Sequence, residues 1–184
     1  MNNQSKFKCR FCDHDLDKLI VSLPSMPLTD DFVNLHSLDR KEFLENINIF
    51  QCDNCLIIQN PKDFDYSSYY QDYNYSTGHS VLANHFMNNI ASYIHNKFTQ
   101  LFNYTPKSVL EVGSGDGVQL DHFKKNGIST TLGVEPSDYL CQVSTNNDID
   151  VIKSIFDHSL INKLNDQKFD ICFSSYTFDH MQSP

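Results

Sequence analysis

From Ser80 to about Phe102, the apolar residues Leu82, Phe86, Ile90, Ile94, Phe98 and Leu101 recur at spacings of four and three. That period predicts one amphipathic helix. Pro106 ends the pattern, and beyond it short apolar runs alternate with helical ones. SVLEV reads as strand, 117–126 as helix, TTLGVE as strand, 137–147 as helix, IDVI as strand, 159–165 as a short helix and FDICFS as strand. Strand and helix in alternation predict βαβ units, a parallel sheet and right-handed crossovers. Before residue 63 the pattern breaks into short apolar runs around Pro24, Pro27 and Pro61, which predicts a small loop-rich module. Between these regions lies DFDYSSYYQDYNYSTG, where Tyr66, Tyr69, Tyr70, Tyr73 and Tyr75 fall within ten residues, too dense a cluster for a plain linker. Three regions are therefore expected: 1–62, 63–105 and 106–184. The chain holds no internal repeat.

Composition narrows the classes of partner. The 184 residues carry a net charge of -9 and a pI near 5.2, so nucleic acid and anionic membranes are poor partners. No stretch approaches the roughly 20 apolar residues of a membrane span. The polar start MNNQSKFK does not read as a signal peptide, and the expected location is the cytoplasm.

Four of the six cysteines form two pairs, Cys9/Cys12 and Cys52/Cys55. A C-x-x-C turn presents two thiolates to one ion, and two such turns complete the tetrahedron of a structural zinc site. Free thiols or a redox pair are the alternative, but a thioredoxin-like motif belongs where a strand meets a helix, a context this region lacks. His14 and His36 rank behind the cysteines as ligands. Zinc would close a module with too little apolar content to fold alone. Cys141 and Cys172, in predicted helix and strand, read as small buried apolar residues.

VLEVGSGDGVQL sets Glu111, Gly113, Gly115 and Gly117 between the first strand of the alternating region and its helix. Open α/β sheets bind ligands at the carboxyl ends of their strands, and glycines there let the backbone approach closely. The spacing is G-x-G-x-G, not the G-x-G-x-x-G that positions a dinucleotide pyrophosphate. An acid beside the loop suits the cationic end of a ligand. Glu135 ends the next strand and can accept from ribose hydroxyls; after the third, Phe156 can flank an adenine and Asp157 can accept from its amino group. In this order the residues favour S-adenosylmethionine over NAD or another nucleotide.

With CRFCDHDL, LPSMPLTDDF, CDNCLIIQ, YNYSTGHSVLANHF, LEVGSGDG, GVEPS and SYTFDHM in this order, nearly the whole chain resembles one family. Its members are class I methyltransferases with an N-terminal zinc-binding domain that C-methylate nucleotide-linked keto-deoxysugars. One departure is Leu56, where the family usually has glycine; this bears on the geometry of that cysteine turn and not on its ligands. The resemblance implies a Rossmann-like class I methyltransferase sheet after the zinc module. It also implies a small-molecule substrate of the dTDP-4-keto-sugar type, methylated beside its ketone. By position it assigns Tyr75 and His180 to the substrate side, Tyr75 as donor to an enolate oxygen or sugar hydroxyl and His180 as acid/base or orienting group. Packing for Tyr75 and a solvated loop position for His180 remain open, as does a helix-start role for His79. His85, His95, His122 and His158 read as surface or helix-face residues. The family's sheet has seven strands and further catalytic groups in a C-terminal region, whereas only four strands can be counted here. The expectation is a truncated chain, completed by a missing C-terminal region or by oligomerisation. The alternatives are a non-catalytic zinc-plus-Rossmann binding module and a methyltransferase acting on another small molecule or RNA.

Overall fold

The computed structural model describes residues 7–27, 43–63, 70, 73 and 75–181. His36, Tyr66, Tyr69 and most of the MPLTDDF stretch lie outside them. The chain divides into two compact units, residues 1–64 with 182–184, and residues 65–181. Among the described residues no helix is long and apolar enough to cross a membrane.

Among its described residues the first unit holds three strands where the sequence reading expected a loop-rich module. Strands β1 (Lys18–Pro27), β2 (Leu44–Gln51) and β3 (Ile58–Gln59) form an antiparallel sheet in the order β1-β2-β3. Pro24 and Pro27 lie inside β1, where prolines ordinarily argue against a strand. They fit because β1 is an edge strand and its register shifts between Leu23 and Met26, with Ser25 at φ 51°. Leu19, Ile20, Val21 and Leu23 are exposed, so this sheet buries little. Its core is Cys9, Leu16 and Cys52, flanked by Phe7, Phe50 and Ile57, with the two phenylalanine rings 5.6 Å apart.

The second unit follows the predicted alternation closely. A helix α1 (Val81–Phe102) precedes β4 (Ser108–Val112), α2 (Val118–Lys125), β5 (Thr130–Glu135), α3 (Asp138–Asn146), β6 (Asp150–Lys153), α4 (His158–Leu164) and β7 (Ile171–Ser174). The four strands are parallel in the order β6-β5-β4-β7. Their register pairs Glu111 with Gly133 and Phe173 and aligns Glu135 with Lys153, so the carboxyl tips share one edge of the sheet.

Two cores sandwich the sheet. Val109 and Ile171 pack with Ala91, Leu120, Phe123, Ile128 and Ile149, while Leu110 and Val134 pack with Leu160. Alternate residues of β4 thus serve opposite faces, as a central strand requires. The contact of α1 with α2 departs from the predicted stripe: Ala91 is fully buried and Ile94 and Phe98 partly so, but Leu82, Phe86 and Leu101 are exposed. At 22 residues α1 is about 33 Å long, against about 12 Å for the eight-residue α2, so its ends overhang their partner. Cys172 is exposed because β7 lies at the edge of the sheet, and Cys141 is half-buried; neither is the buried small residue expected. His122 departs the other way and is buried on α2.

Candidate functional site

The two cysteine turns of the first unit are built alike. In one, the Asp13 N–H donates to the Cys9 carbonyl at 3.0 Å and the Cys9 N–H to the His14 carbonyl at 2.8 Å. In the other, the Leu56 N–H donates to the Cys52 carbonyl and the Cys52 N–H to the Ile57 carbonyl, both at 2.9 Å. Each turn closes through a left-handed residue, Asp13 at φ 58° and Leu56 at φ 64°. That is why glycine suits the position of Leu56.

The four Sγ atoms lie within 4.8 Å of one another. Cys9 with Cys55 and Cys12 with Cys52 form two edges of 3.6 Å each. A regular tetrahedron of thiolates on zinc has edges of about 3.8 Å, so the donor set fits the ion. Burial would raise the Cys9 thiol, but bonds from the Phe11 N–H, the Gln59 amide and the Cys12 N–H bring it down to about 6. Gln59 Nε2 reaches Cys9 Sγ at 3.1 Å while its Oε1 accepts from the Arg10 N–H at 3.0 Å, a support of the kind that orients metal ligands.

In the second unit the residues between β4 and α2 form a tight turn with Gly113, Gly115 and Gly117 at φ 72°, 56° and 79°. Gly113 is required twice over, since a Cβ there would also come within 2.1 Å of Thr177 Oγ1. A Cβ on Gly115 would meet no atom within 4 Å, so the turn is open on that side. Glu135 is buried and accepts from the Gly115 N–H through Oε2 and from the Ser137 N–H through Oε1, each at 2.9 Å. Each oxygen keeps a further lone pair for a ligand. Burial raises the Glu135 carboxyl, the two N–H bonds oppose that, and the charge of Asp116 adds to it.

Glu111 is fully enclosed, and its Oε2 has no hydrogen-bond partner among the described residues. Burial first, then the charges of Asp116 and Glu135, hold its carboxyl well above the usual range. An orphaned carboxyl oxygen next to an open glycine turn and two more acids fits a cationic ligand end with ribose hydroxyls nearby. The residues thus suit S-adenosylmethionine, with Glu111, Gly113, Gly115, Gly117 and Glu135 brought together.

Phe156 and Asp157 follow β6 at the same edge of the sheet. Phe156 is exposed. Asp157 caps α4, its Oδ1 accepting from the Ser159 hydroxyl at 2.6 Å and the Ser159 N–H at 2.8 Å; these bonds, the hydroxyl's first, hold its carboxyl below the usual range.

The tyrosine segment is tied to this edge. Ser137 Oγ donates to the Tyr73 carbonyl at 2.5 Å, and Asp116 Oδ2 accepts from Ser76 Oγ at 2.5 Å and from the Gly78 N–H at 2.8 Å. Tyr75, 63% exposed, stands between these fastenings. A series of ring contacts runs from Tyr75 to Tyr73 (6.5 Å), to Tyr70 (6.4 Å) and to His180 (6.4 Å). The two predicted substrate-side residues therefore belong to one aromatic series, and His79 is exposed in the turn Thr77–His79. Sequence reasoning missed Asp116, Ser137 and Thr177. Asp116 was visible only as one of the two non-glycine residues of the turn, and Ser137 only as a helix cap.

A family model for a methyltransferase domain matches residues 83–184, more than half of the chain. The chain belongs to this methyltransferase domain family. A second model, for a zinc binding domain, matches residues 9–70 and so includes all four clustered cysteines. Among solved structures, the plantazolicin methyltransferase BpumL in complex with SAH is similar at 19% identity and a TM-score of 0.46, over 54% of this chain and 38% of that one. Streptomyces venezuelae DesVI is similar at 22% identity and a TM-score of 0.40, over 49% of this chain and 36% of that one. Spermidine synthase from Thermotoga maritima is similar at 15% identity and a TM-score of 0.32, over 95% and 56%. The chain thus spans well under two thirds of these proteins. No curated protein matches it.

Proposed function

We propose that this methyltransferase domain binds S-adenosylmethionine and serves the C-methylation of a nucleotide-linked 4-keto-deoxysugar at the carbon beside its ketone. The observation that carries the cofactor reading is the orphaned Glu111 carboxyl oxygen beside the open glycine turn. The sugar reading is supported by the resemblance described above and by the single aromatic series that holds Tyr75 and His180.

The cofactor, when bound, supplies an electrophilic methyl group. The chain's part is to place an acceptor and manage its proton. Tyr75, exposed at the fastened segment, donates to the ketone oxygen as negative charge develops there. His180, exposed beyond β7, takes the proton from the adjacent carbon or orients the sugar. Cys9, Cys12, Cys52 and Cys55 would hold a structural zinc, and the proton removal and methyl transfer proposed here require no metal.

Calorimetric titration of the zinc-loaded chain with S-adenosylhomocysteine tests the cofactor reading; saturable one-to-one binding is expected, and none would sink it. For the sugar, incubation in deuterium oxide separates the chemistries. Incorporation of deuterium beside the ketone supports proton removal from carbon, as does a product in which a methyl group has replaced a hydrogen there, and a product whose methyl sits on oxygen or nitrogen contradicts it.

A further inference from the structure

Glu135 is held by two backbone N–H groups, and each leads directly to a fastening of the tyrosine segment. The Gly115 N–H bonds to Oε2, and the next residue, Asp116, holds Ser76 and Gly78. The Ser137 N–H bonds to Oε1, and the hydroxyl of the same residue holds the Tyr73 carbonyl. Tyr75 is thereby gripped on both sides by the groups that position the carboxylate expected to receive the cofactor.

Asp116 is built for this task. It is buried, and its second oxygen, Oδ1, accepts from the Val118 N–H at 3.2 Å, fixing the carboxylate on the first residue of α2. The segment it grips lies tight against it: a Cβ on Gly78 would come within 2.7 Å of Val118 Cγ2 and 2.9 Å of Asp116 Oδ2. The Gly78 carbonyl is held as well, by Asn84 Nδ2 at 2.9 Å, and Asn84 Oδ1 meets His122 Nε2 at 2.8 Å. Both peptide groups of Gly78 are thus committed, one to the glycine turn and one to the face between α1 and α2.

We propose that Asp116 is a positioning residue that couples cofactor binding to the seating of Tyr75. A ligand at Glu135 steadies the Gly115–Gly117 turn, which steadies Asp116 and, through Ser76 and Gly78, the residue beside them. Linkage makes the effect reciprocal: a segment that cannot seat weakens the cofactor by the same factor. This rests on the reading of Glu135 as a cofactor group and of Tyr75 as a substrate-side group.

The test is hydrogen exchange across residues 75–80 of the zinc-loaded chain, with and without S-adenosylhomocysteine, in the native sequence and in Asp116→Asn and Gly78→Ala. Gly78 lies outside the glycine turn, so its variant disturbs the grip by shape alone. In the native chain the ligand slows exchange of the Gly78 amide by about tenfold or more. In both variants that slowing disappears, and the ligand binds about tenfold or more weakly. If the native chain binds the ligand and either variant keeps both native slowing and native affinity, the coupling is overturned. If the native chain binds no ligand, the cofactor reading fails, and the coupling falls with it. The fastening itself is then read from the ligand-free chains: about tenfold faster Gly78 exchange in Asp116→Asn upholds it, and unchanged exchange refutes it. Should circular dichroism show Gly78→Ala to be unfolded, Ser76→Ala, which deletes only one of the bonds to Asp116, takes its place under the same criteria.

Discussion

Asp13 and Leu56 occupy equivalent places in the two cysteine turns, each donating its N–H to the carbonyl of the residue four positions before it, at φ 58° and 64°. Aspartate tolerates the left-handed region through its short polar side chain, and leucine does not. Leu56 is also 67% exposed, so its side chain returns little packing for the strain. Leu56→Gly is therefore expected to stabilise the zinc-loaded module by about 0.5–1 kcal/mol, the relief of strain less the entropy of glycine. Chemical denaturation followed by a probe in the first unit measures it, and a loss of stability would contradict the assigned turn.

Cys52 is fully buried in a core of three residues, and that core is inseparable from the metal cluster. Purified without chelator, the chain should carry about one equivalent of zinc. Cys52→Ser should carry far less and lose exchange protection across β1 and β2 while β4 and β5 keep theirs. Metal analysis paired with hydrogen exchange reads both halves of this expectation. Less than about half an equivalent in the native chain would count against a four-cysteine site.

On the proposed reading of Glu111 as the partner of the cofactor's cationic end, this residue trades stability for affinity. With its carboxyl raised above the ordinary value by burial and by Asp116 and Glu135, the native state retains a proton that the unfolded chain has lost. This contribution to the ligand-free chain is therefore greatest below about pH 4.3 and declines as pH rises toward the raised value. Glu111→Gln should remove that decline and raise the melting temperature at pH 7.5 by about 2–5 °C. The same change should weaken S-adenosylhomocysteine about tenfold or more by removing the partner of a buried cationic group. Thermal melts across pH, with a matched titration, test the pair, and a destabilised Glu111→Gln would refute the trade.

Asp170 behaves in the opposite sense. Oδ2 accepts from the Lys107 N–H at 2.7 Å, the Ser108 N–H at 3.0 Å and the Ser108 hydroxyl at 3.1 Å, joining the starts of β4 and β7. The Lys107 bond is the largest influence holding its carboxyl below the usual range, against some desolvation. Its contribution is fully present above the unfolded value near pH 3.9 and is lost as pH falls through the depressed one; Asp170→Asn should cost about 1–2 kcal/mol at pH 7 and much less near pH 2. Urea unfolding at the two pH values measures the difference.

The second unit was legible because its signals are local. TTLGVE alternates and ends on Glu135 just as β5 does, and three glycines in five residues mark the turn after β4. The first unit was harder, since Pro24 masks an edge strand that a register shift makes possible. The burial of His122 and the exposure of Cys172, Leu82 and Phe86 depend on which neighbours the topology supplies, which periodicity along one helix or strand does not encode. Asp116 and Ser137 escaped for the same reason. Their partners lie 38 to 64 positions away in the chain.

That separation also orders events in time. Tyr73, Ser76 and Gly78 precede every strand of the parallel sheet, yet the groups that receive them exist only once β4 and β5 have paired and the turns after them have formed. Closing such long loops is entropically unfavourable until the sheet is there to reward it. Loop closure therefore predicts that Tyr73, Ser76 and Gly78 take their places late in folding, after the turns that follow β4 and β5 have formed.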